Sequence, residues 1–272
     1  YGLGIEPVAR ALAAAGCRTF FVATPAEGVR LRQVLADATI FVLAGLAEGT
    51  ADAFLGHGLR PALNSWPEIE EWAALRDRGA PAGAAIHVDT GMNRLGLSLH
   101  EALALARAPA LLTVVAPSLV MSHLACADTP EHPLNLRQLA LFREIRAEFP
   151  GIATSLANSA GIFLGEEFHF DLVRPGIALY GVGPVAGVAN PMQAVVTAEA
   201  RVLVIREAEA GETVGYGATE TLKRASRIAI LSAGYADGYH RLAGSSDEHH
   251  GARVMIRGAL APLVGRVSMD LM

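Results

Sequence analysis

The chain has 272 residues, of which 22 are basic and 27 acidic, so its formal net charge is −5 with histidine neutral. The absence of a basic stripe argues against nucleic acid and anionic membrane surfaces as partners, and no apolar run reaches the roughly 18 to 20 residues of a membrane-spanning helix. The two cysteines, Cys17 and Cys126, lack CxxC spacing, which argues against a disulfide framework and a zinc site. We expect a cytoplasmic protein without a metal.

Up to about residue 185, short β-rich runs alternate with alanine-rich amphipathic stretches. Strands are predicted at 19–23, 39–44, 59–64, 84–89, 118–123, 152–157 and 170–174. Helices are predicted at 6–15, 26–36, 48–56, 67–78, 99–107, 136–149 and 159–164. This alternation is typical of a parallel sheet covered by helices. Because seven strands follow an initial helix, we predict an α/β fold, a (β/α)8 TIM-type barrel whose first strand is missing, at residues 1–188.

The pattern changes after the YGVGP segment at 180–184. Valine- and isoleucine-rich runs, separated by turns, occupy 192–206, 212–214, 226–234, 252–256 and 263–269. Such runs without a helical period predict a mostly antiparallel β domain, which we place at residues 189–272, with a polar loop at 245–251. The chain opens without an initiator Met and stops inside an apolar segment, so we expect a fragment truncated at both ends.

Polar side chains follow several of the predicted barrel strands. His123 lies in MSHLACAD, Ser159 follows Asn158 in LANSAG, and Arg174 lies in DLVRPGIALYG. The working groups of a (β/α)8 barrel lie at the carboxyl ends of its strands, so we expect these side chains to face one mouth. Singly, each also fits a structural role: a hydrogen-bonded histidine, a helix cap and a loop arginine. Their shared position favours a functional site.

Two of these loops carry more specific signals. Gly176, after Arg174 and Pro175, allows a close backbone approach, and N–H groups at such a turn can hold a phosphate; a plain turn is the alternative. In HVDTGMNRLG, residues 87–96, Asp89 caps the turn and Arg94 is directed back toward the mouth, with a structural loop as the alternative. The absence of HExxH, GxxxxGK[ST] and GxSxG disfavours metalloprotease, P-loop and nucleophile-elbow chemistry.

Eight segments together resemble one family. In chain order they are YGLG, HVDTGMNRLG, SHLACAD, ANSAG, VRPGIALYG, GYGAT, GYADGYHR and GRVSMD. Their order and spacing are similar to those of bacterial alanine racemases, fold-type III pyridoxal-phosphate enzymes, over essentially the whole chain. The resemblance implies a barrel that binds pyridoxal 5′-phosphate, alanine as substrate, and a head-to-tail homodimer in which each β domain completes its partner's active site. It also implies supply of D-alanine for peptidoglycan, or catabolism of one isomer.

The resemblance assigns catalytic roles to four residues. It implies that Tyr235 is one of two catalytic bases, opposite a lysine that holds the cofactor covalently. His123 would lie beside the pyridine ring and hydrogen-bond the phenol of Tyr235, and Arg174 would donate to the pyridine nitrogen. Arg94 resembles the residue that faces the phenolic oxygen of the cofactor. A tyrosine has an unperturbed pKa of about 10. A cationic arginine that acts on Tyr235 through a neutral histidine would favour the phenolate and so lower that pKa.

Other residues resemble the binding positions of the family. The phosphate binders would be the hydroxyl groups of Tyr1 and Ser159 and the backbone N–H groups of Gly176 and Ile177. Met269 resembles the residue whose backbone meets the substrate carboxylate, and Tyr216 and Asp128 resemble the lining of the substrate entrance.

The sequence departs from the family at two points. The lysine that holds the cofactor lies four residues before the tyrosine of YGLG, upstream of Tyr1, and the single lysine present, Lys223, lies in a loop of the β domain. We therefore expect the chain as it stands to be inactive and, with unpaired strand edges, poorly stable. At His87, many relatives carry a carbamylated lysine that braces the arginine corresponding to Arg94.

Three alternative functions are related to this fold. A broader racemase acting on serine would differ in pocket size around Met269 and Tyr216. A non-catalytic pyridoxal-phosphate carrier shares the barrel and generally lacks the β domain. A decarboxylase of similar fold would place a cysteine motif, in place of Tyr235, opposite the lysine, and neither cysteine here has that context.

Overall fold

The computed structural model describes residues 1–81, 83–245 and 251–272. The chain forms two compact units, Tyr1–Val196 and Thr197–Met272, and each is described by itself. The polar loop predicted at 245–251 lies, apart from its two end residues, outside the described residues. The division at residue 188 stays a sequence-based prediction.

The first unit is built on one sheet of six parallel strands, paired in chain order from β1 to β6. The strands are β1 Thr19–Val22, β2 Thr39–Val42, β3 Arg60–Leu63, β4 Ala85–His87, β5 Leu119–Met121 and β6 Ala153–Ser155. The helices are α1 Ile5–Ala14, α2 Pro25–Val34, α3 Ala51–His57, α4 Trp66–Ala74, α5 Leu99–Ala106, α6 Pro109–Val115 and α7 Pro133–Glu148. The predicted barrel-type α/β fold is confirmed as a curled parallel half-barrel.

The seventh predicted strand, 170–174, is wrong. Phe170 has a positive φ of 53°, which breaks an extended run. The Asp171 carboxylate accepts hydrogen bonds from Thr154 N at 2.8 Å and Thr154 Oγ1 at 2.6 Å. The Asp171 side chain therefore accepts the hydrogen bond from Thr154 N that a backbone carbonyl would accept in a regular β-ladder. The segment nevertheless lies beside the residues just after β6, since Arg174 N donates to Ala157 O at 2.9 Å.

Local chemistry explains where several helices begin. Thr24 and Ser98 form capping boxes with the glutamates three residues later, at the starts of α2 and α5. Proline occupies the first turn of α2, α4, α6 and α7, where its missing N–H costs nothing. Helix α6 was not predicted, and the predicted helix at 159–164 is only a 3₁₀ turn at Gly161–Phe163.

Alternate strand residues pack on opposite faces of the sheet, as the strand period of two requires. Residues such as Ile40, Leu63 and Ile86 join the large core beneath the helices. A smaller cluster packs on the other face, and its buried members are Phe41, Ala62, Ala85, Leu119 and Met121. No helix in the described ranges is long and apolar enough to cross a bilayer.

The described residues of the second unit form three antiparallel strand pairs, which confirms the predicted mostly β domain. The pairs are β7 Val202–Ala208 with β10 Ser226–Leu231, β8 Thr213–Val214 with β9 Glu220–Thr221, and β11 Arg253–Ile256 with β12 Ala259–Pro262. The run predicted at 192–206 is a strand only from Val202 onward, in β7. The run predicted at 263–269 holds no regular strand, although Val264 forms an isolated bridge with Ser245.

Candidate active site

The carboxyl ends of β4, β5 and β6 lie side by side and carry the predicted polar residues. His87 pairs with Met121, and Met121 pairs with Ser155. The loops that follow these three residues therefore leave one edge of the sheet together. The sequence predicts the functional site at this edge, because side chains at the carboxyl ends of parallel strands can act on one ligand.

Arg174 spans two of these strand ends. Its Nη1 donates to Ser155 O at 2.9 Å and to Ser155 Oγ, and its Nη2 donates to Ser122 O. Its guanidinium also lies 5.9 Å from the centroid of the Phe21 ring. Burial lowers the pKa of Arg174 to about 10, so the group stays cationic at neutral pH. A fixed positive charge therefore stands at the centre of the edge.

His123 is a neutral histidine in this arrangement. Asn158 Nδ2 lies 3.3 Å from His123 Nε2 and can only donate, so Nε2 accepts and the neutral ring carries its proton on Nδ1. Asn158 is itself held, with Nδ2 donating to Leu124 O at 3.1 Å. Burial, with Arg174 and Arg94 nearby, lowers the pKa of His123 to about 3. The ring can relay a hydrogen bond without becoming a cation.

His87, at the end of β4, is the second neutral histidine. Its Nδ1 lies 2.7 Å from Asn64 Oδ1, and the Asn64 amide nitrogen already donates to Ala62 O at 2.8 Å and Leu43 O at 3.3 Å. His87 Nδ1 is therefore the donor and Nε2 the acceptor. Burial, then Arg174 and Arg94, lower the pKa of His87 to about 4, although Asp89 opposes them.

These two histidines predict a pH dependence of stability. Each has a lower pKa in the folded protein than the ordinary histidine value of 6.5, so the unfolded chain binds more protons below neutrality. Their contribution is present above pH 6.5 and is lost as the pH falls toward the folded values. The wild-type protein should lose free energy of unfolding between neutrality and roughly pH 5. We expect this loss to be about 1–2 kcal/mol smaller in His87→Gln, measured by urea unfolding at both pH values.

Glutamine can still donate to Asn64 but does not titrate, which isolates the effect of protonation. The control is His100→Gln, because His100 is exposed in α5. Equal pH slopes for the wild type and His87→Gln would contradict the assignment.

The loop after β4 is closed by its own polar groups. Asp89 carboxylate oxygens accept from Gly91 N, Met92 N and Asn93 N, each at 2.8 Å. Gly96 must be glycine, because its φ is +115° and a Cβ there would lie 2.8 Å from Asp89 N. Arg94 extends from this loop and is exposed. Asp89 thus shapes the loop, as predicted, while the role of Arg94 stays a prediction.

An anion cradle lies beside the strand ends. Ser159 Oγ accepts from Gly176 N at 2.8 Å and Ala178 N at 3.3 Å, which leaves its O–H free to donate. Among the described residues, Ile177 N–H has no acceptor. The Tyr1 hydroxyl lies where a Cβ on Gly176 would be, and the Tyr1 ring packs 4.8 Å from the Tyr180 ring. Hydroxyl and N–H donors without a carboxylate favour an anion.

Asp128, predicted to line the substrate entrance, lies in the first unit, where its carbonyl accepts from Ala186 N at 3.2 Å. The other predicted residues belong to the second unit. Tyr235 N donates to Ser268 O at 3.0 Å, and Ala236 N donates to Met269 O at 2.9 Å. Tyr235 and Met269 therefore lie on two adjoining segments, and both side chains are exposed. Tyr216 begins a separate 3₁₀ turn, Tyr216–Ala218.

Sequence reasoning missed the amides that hold the histidines. Asn64 orients His87, and Asn158 was considered only as a helix cap although it orients His123. Asn64 ends a predicted strand, and a polar residue at that position is a usable signal. Asn158 directly precedes Ser159 in a segment already considered functional.

Comparison with known proteins gives consistent matches over the whole chain. The family model "Alanine racemase, N-terminal domain" matches residues 1–184, and "Alanine racemase, C-terminal domain" matches residues 195–272. An alanine racemase of Rhizobium meliloti is 51% identical over 278 residues, covering 100% of this chain and 73% of that protein. A biosynthetic alanine racemase of Agrobacterium fabrum is 51% identical over 277 residues, covering 100% and 71%.

A solved structure shows the same similarity. The alanine racemase from Bartonella henselae, crystallised with covalently bound pyridoxal phosphate, superimposes with a TM-score of 0.89 at 42% identity. The match covers 100% of this chain and 75% of that one.

Proposed function

The chain belongs to the alanine racemase family, and on that premise we propose that its complete gene product acts as an alanine racemase, the pyridoxal 5′-phosphate-dependent isomerase that interconverts L-alanine and D-alanine. One observation carries the proposal. The anion cradle of Ser159 and Gly176 lies beside the edge of the sheet that carries a neutral His123 and a cationic Arg174. These groups suit a phosphorylated aromatic cofactor and a relay of hydrogen bonds.

The residues of the first unit fit pyridoxal 5′-phosphate. Its phosphate would be held by the hydroxyl groups of Ser159 and Tyr1 and by the N–H of Ile177, and the lack of a side chain at Gly176 keeps room for the Tyr1 hydroxyl. The N–H of Gly176 donates to Ser159 Oγ at 2.8 Å and would have to share that bond to reach the phosphate. Bound there, the cofactor supplies an electron sink that acidifies the Cα–H bond of an amino acid. The residues of this chain then decide where the proton goes.

Arg174 is proposed to donate to the ring nitrogen of the cofactor. Its Nη atoms are occupied by carbonyls of β5 and β6, and among the described residues nothing accepts from its Nε–H. A guanidinium has no acceptor and stays protonated, so it disfavours protonation of the ring nitrogen. The electron sink is weakened, and side reactions such as transamination are suppressed.

His123 and Tyr235 are proposed to move the proton on one face of the substrate. The Nδ1–H of neutral His123, whose Nε2 accepts from Asn158, would donate to the phenol of Tyr235. Arg174 is bonded to the carbonyls of Ser155 and Ser122, so its charge would act on the phenol through space, and a nearby opposite charge favours the phenolate and brings the phenol nearer to working pH. Arg94 is proposed to face the phenolic oxygen of the cofactor, and the Met269 backbone to meet the substrate carboxylate near Tyr216.

We also propose that the protein forms a head-to-tail homodimer in the cytoplasm, with Tyr235 of one subunit serving the barrel of the other, and that it supplies D-alanine for peptidoglycan. The exposure of Tyr235 and Met269 is compatible with shared sites. Sedimentation of the complete gene product tests the dimer, and growth of a deletion strain with and without D-alanine tests the cellular role.

The direct test of the proposed function uses the complete gene product. Its absorbance spectrum should show a band near ~420 nm from bound pyridoxal 5′-phosphate, and circular dichroism should record loss of optical activity from either enantiomer of alanine. Serine is assayed alongside, since preference for serine would indicate the broader racemase. Absence of cofactor binding, or of alanine racemisation by the loaded protein, would overturn the proposal.

Gly176→Ala tests the phosphate cradle. The backbone at Gly176, with φ −115° and ψ −87°, lies outside the main regions allowed to alanine, and a Cβ would also overlap the Tyr1 hydroxyl. We expect the dissociation constant for pyridoxal 5′-phosphate to rise about tenfold, or about 1.4 kcal/mol, in a fluorescence titration of the apoprotein. The matched control is Gly56→Ala in α3, where a Cβ meets open space. Equal affinities in the two variants would exclude this cradle.

A further inference from the structure

The side chain of Gln138 connects the two loops that carry Arg94 and His123. Gln138 lies in the middle of α7 and is 0% exposed. Its Nε2 donates to Thr90 Oγ1 at 3.1 Å and to His123 O at 2.9 Å, and its Oε1 accepts from Ala125 N at 2.9 Å. One amide therefore binds the loop after β4 and the loop after β5.

The connection continues to the cationic group of the site. Thr90 Oγ1 lies 2.7 Å from Ser122 Oγ, and Ser122 O accepts from Arg174. Thr90 directly follows Asp89, whose carboxylate shapes the loop that carries Arg94. A continuous set of hydrogen bonds thus runs from α7 through both loops to Arg174. All these partners are buried or half-buried, so an unpaired member would be costly.

Helix α7 is a firm base for such a connection. It spans 16 residues, Pro133–Glu148, and its Leu139, Phe142 and Ile145 side chains are buried in the core. A site needs its reacting groups held closely, because small displacements cost much of the rate. A buried amide on a packed helix can hold two loops in one arrangement.

We propose that Gln138 is a positioning residue that fixes the His123 loop relative to the Arg94 loop and thereby sets the geometry in which the cofactor and the substrate are bound. This inference rests on the proposed function, because it assigns Gln138 to that same site. Gln138 touches neither reacting atoms nor cofactor and acts through Thr90 and the His123 backbone.

Asn135, one turn earlier on α7, provides a matched control. It is also buried, and its Nδ2 donates to Cys126 O at 3.2 Å, Thr129 O at 3.1 Å and Pro130 O at 3.2 Å. It has no hydrogen bond to Thr90 or to His123 in the described part of the chain. Its replacement should remove a buried amide and destabilise one loop without releasing the connection between the two loops.

The test compares Gln138→Met with Asn135→Leu in the complete holoenzyme and its apoprotein. Both should lower the thermal midpoint of the apoprotein by a few degrees. Only Gln138→Met should raise the dissociation constant for pyridoxal 5′-phosphate about tenfold, measured by fluorescence, and lower kcat about tenfold with KM for alanine within about twofold. If Gln138→Met changes affinity and kcat no more than Asn135→Leu does, Gln138 is merely structural and the proposal is wrong.

Thr90 supplies a second and milder test should Gln138→Met fold poorly. Thr90→Val removes the hydroxyl that receives the Gln138 hydrogen bond, and Thr90→Ser keeps it. We expect Thr90→Val to reproduce the loss in affinity and kcat, and Thr90→Ser to stay within about twofold of the wild type. Equal behaviour of the two Thr90 variants would overturn the proposal. A wild-type protein that neither binds the cofactor nor racemises alanine would instead refute the proposed function.

Discussion

Replacing Tyr235 with phenylalanine in the complete holoenzyme is expected to lower alanine racemisation by about 10²- to 10⁴-fold, the range typical of a lost acid or base. Racemisation needs a proton removed on one face of Cα and returned on the other, so two groups must flank it. Because the two enantiomers have equal free energy, kcat/KM falls equally in both directions. The specific readout is exchange of the Cα hydrogen in deuterated water, which should persist for one enantiomer and be lost for the other.

The structure makes Tyr235→Phe a clean substitution. The side chain is 44% exposed, so loss of the hydroxyl should cost little stability, and its backbone bond to Ser268 O does not depend on the phenol. The cofactor should stay bound with its normal absorbance. Tyr239→Phe, four residues further on, is the matched control and should stay close to wild type. Unchanged exchange of both enantiomers in Tyr235→Phe would remove Tyr235 from the mechanism.

Replacing Arg174 with glutamine should change both the rate and the outcome of the reaction. Loss of the cation that donates to the ring nitrogen should lower racemisation on the order of 10- to 100-fold, as expected for a charged hydrogen bond. A ring nitrogen free to be protonated is a stronger electron sink, so pyruvate from transamination should rise above the wild-type level. Racemisation and pyruvate are measured in the same incubation.

Arg174→Gln should also reduce stability, because Ser122 O loses its charged donor. Ser155 O loses one of two donors and keeps the backbone bond from Ser122 N at 3.1 Å. We expect a cost of about 1–3 kcal/mol in urea unfolding. Arg60→Gln is the control: Arg60 begins β3 at the opposite end of the sheet, lies 5.8 Å from the centroid of the Phe41 ring and bonds Ser118 Oγ. It should lose stability without producing pyruvate. An Arg174→Gln variant with normal racemisation and no added pyruvate would refute the assigned role.

Six barrel strands could be predicted from the sequence because their signals are local. Short β-rich runs such as TFFV and TIFV carry their own strand preference, and helix starts such as Thr24 and Ser98 carry their own caps. The run at 170–174 also contains strand-forming residues, Phe170, Leu172 and Val173, but the positive φ of Phe170 and the bonds from Thr154 to Asp171 prevent a strand. Those bonds join residues 17 positions apart, so no local pattern records them.

The candidate site divides in the same way. The sequence by itself determined the family motifs, the alternation of strands and helices, and therefore that His123 and Ser159 follow strand ends. It also singled out Arg174 and Gly176, although the strand predicted before them is absent. Only the tertiary structure decided that His87 and His123 are neutral, that Asn64 and Asn158 orient them, and that Gln138 connects two loops. The physical reason is that a pKa depends on burial and on nearby charges, and an orienting hydrogen bond depends on distance. Both are decided by residues far apart in the chain that folding brings together.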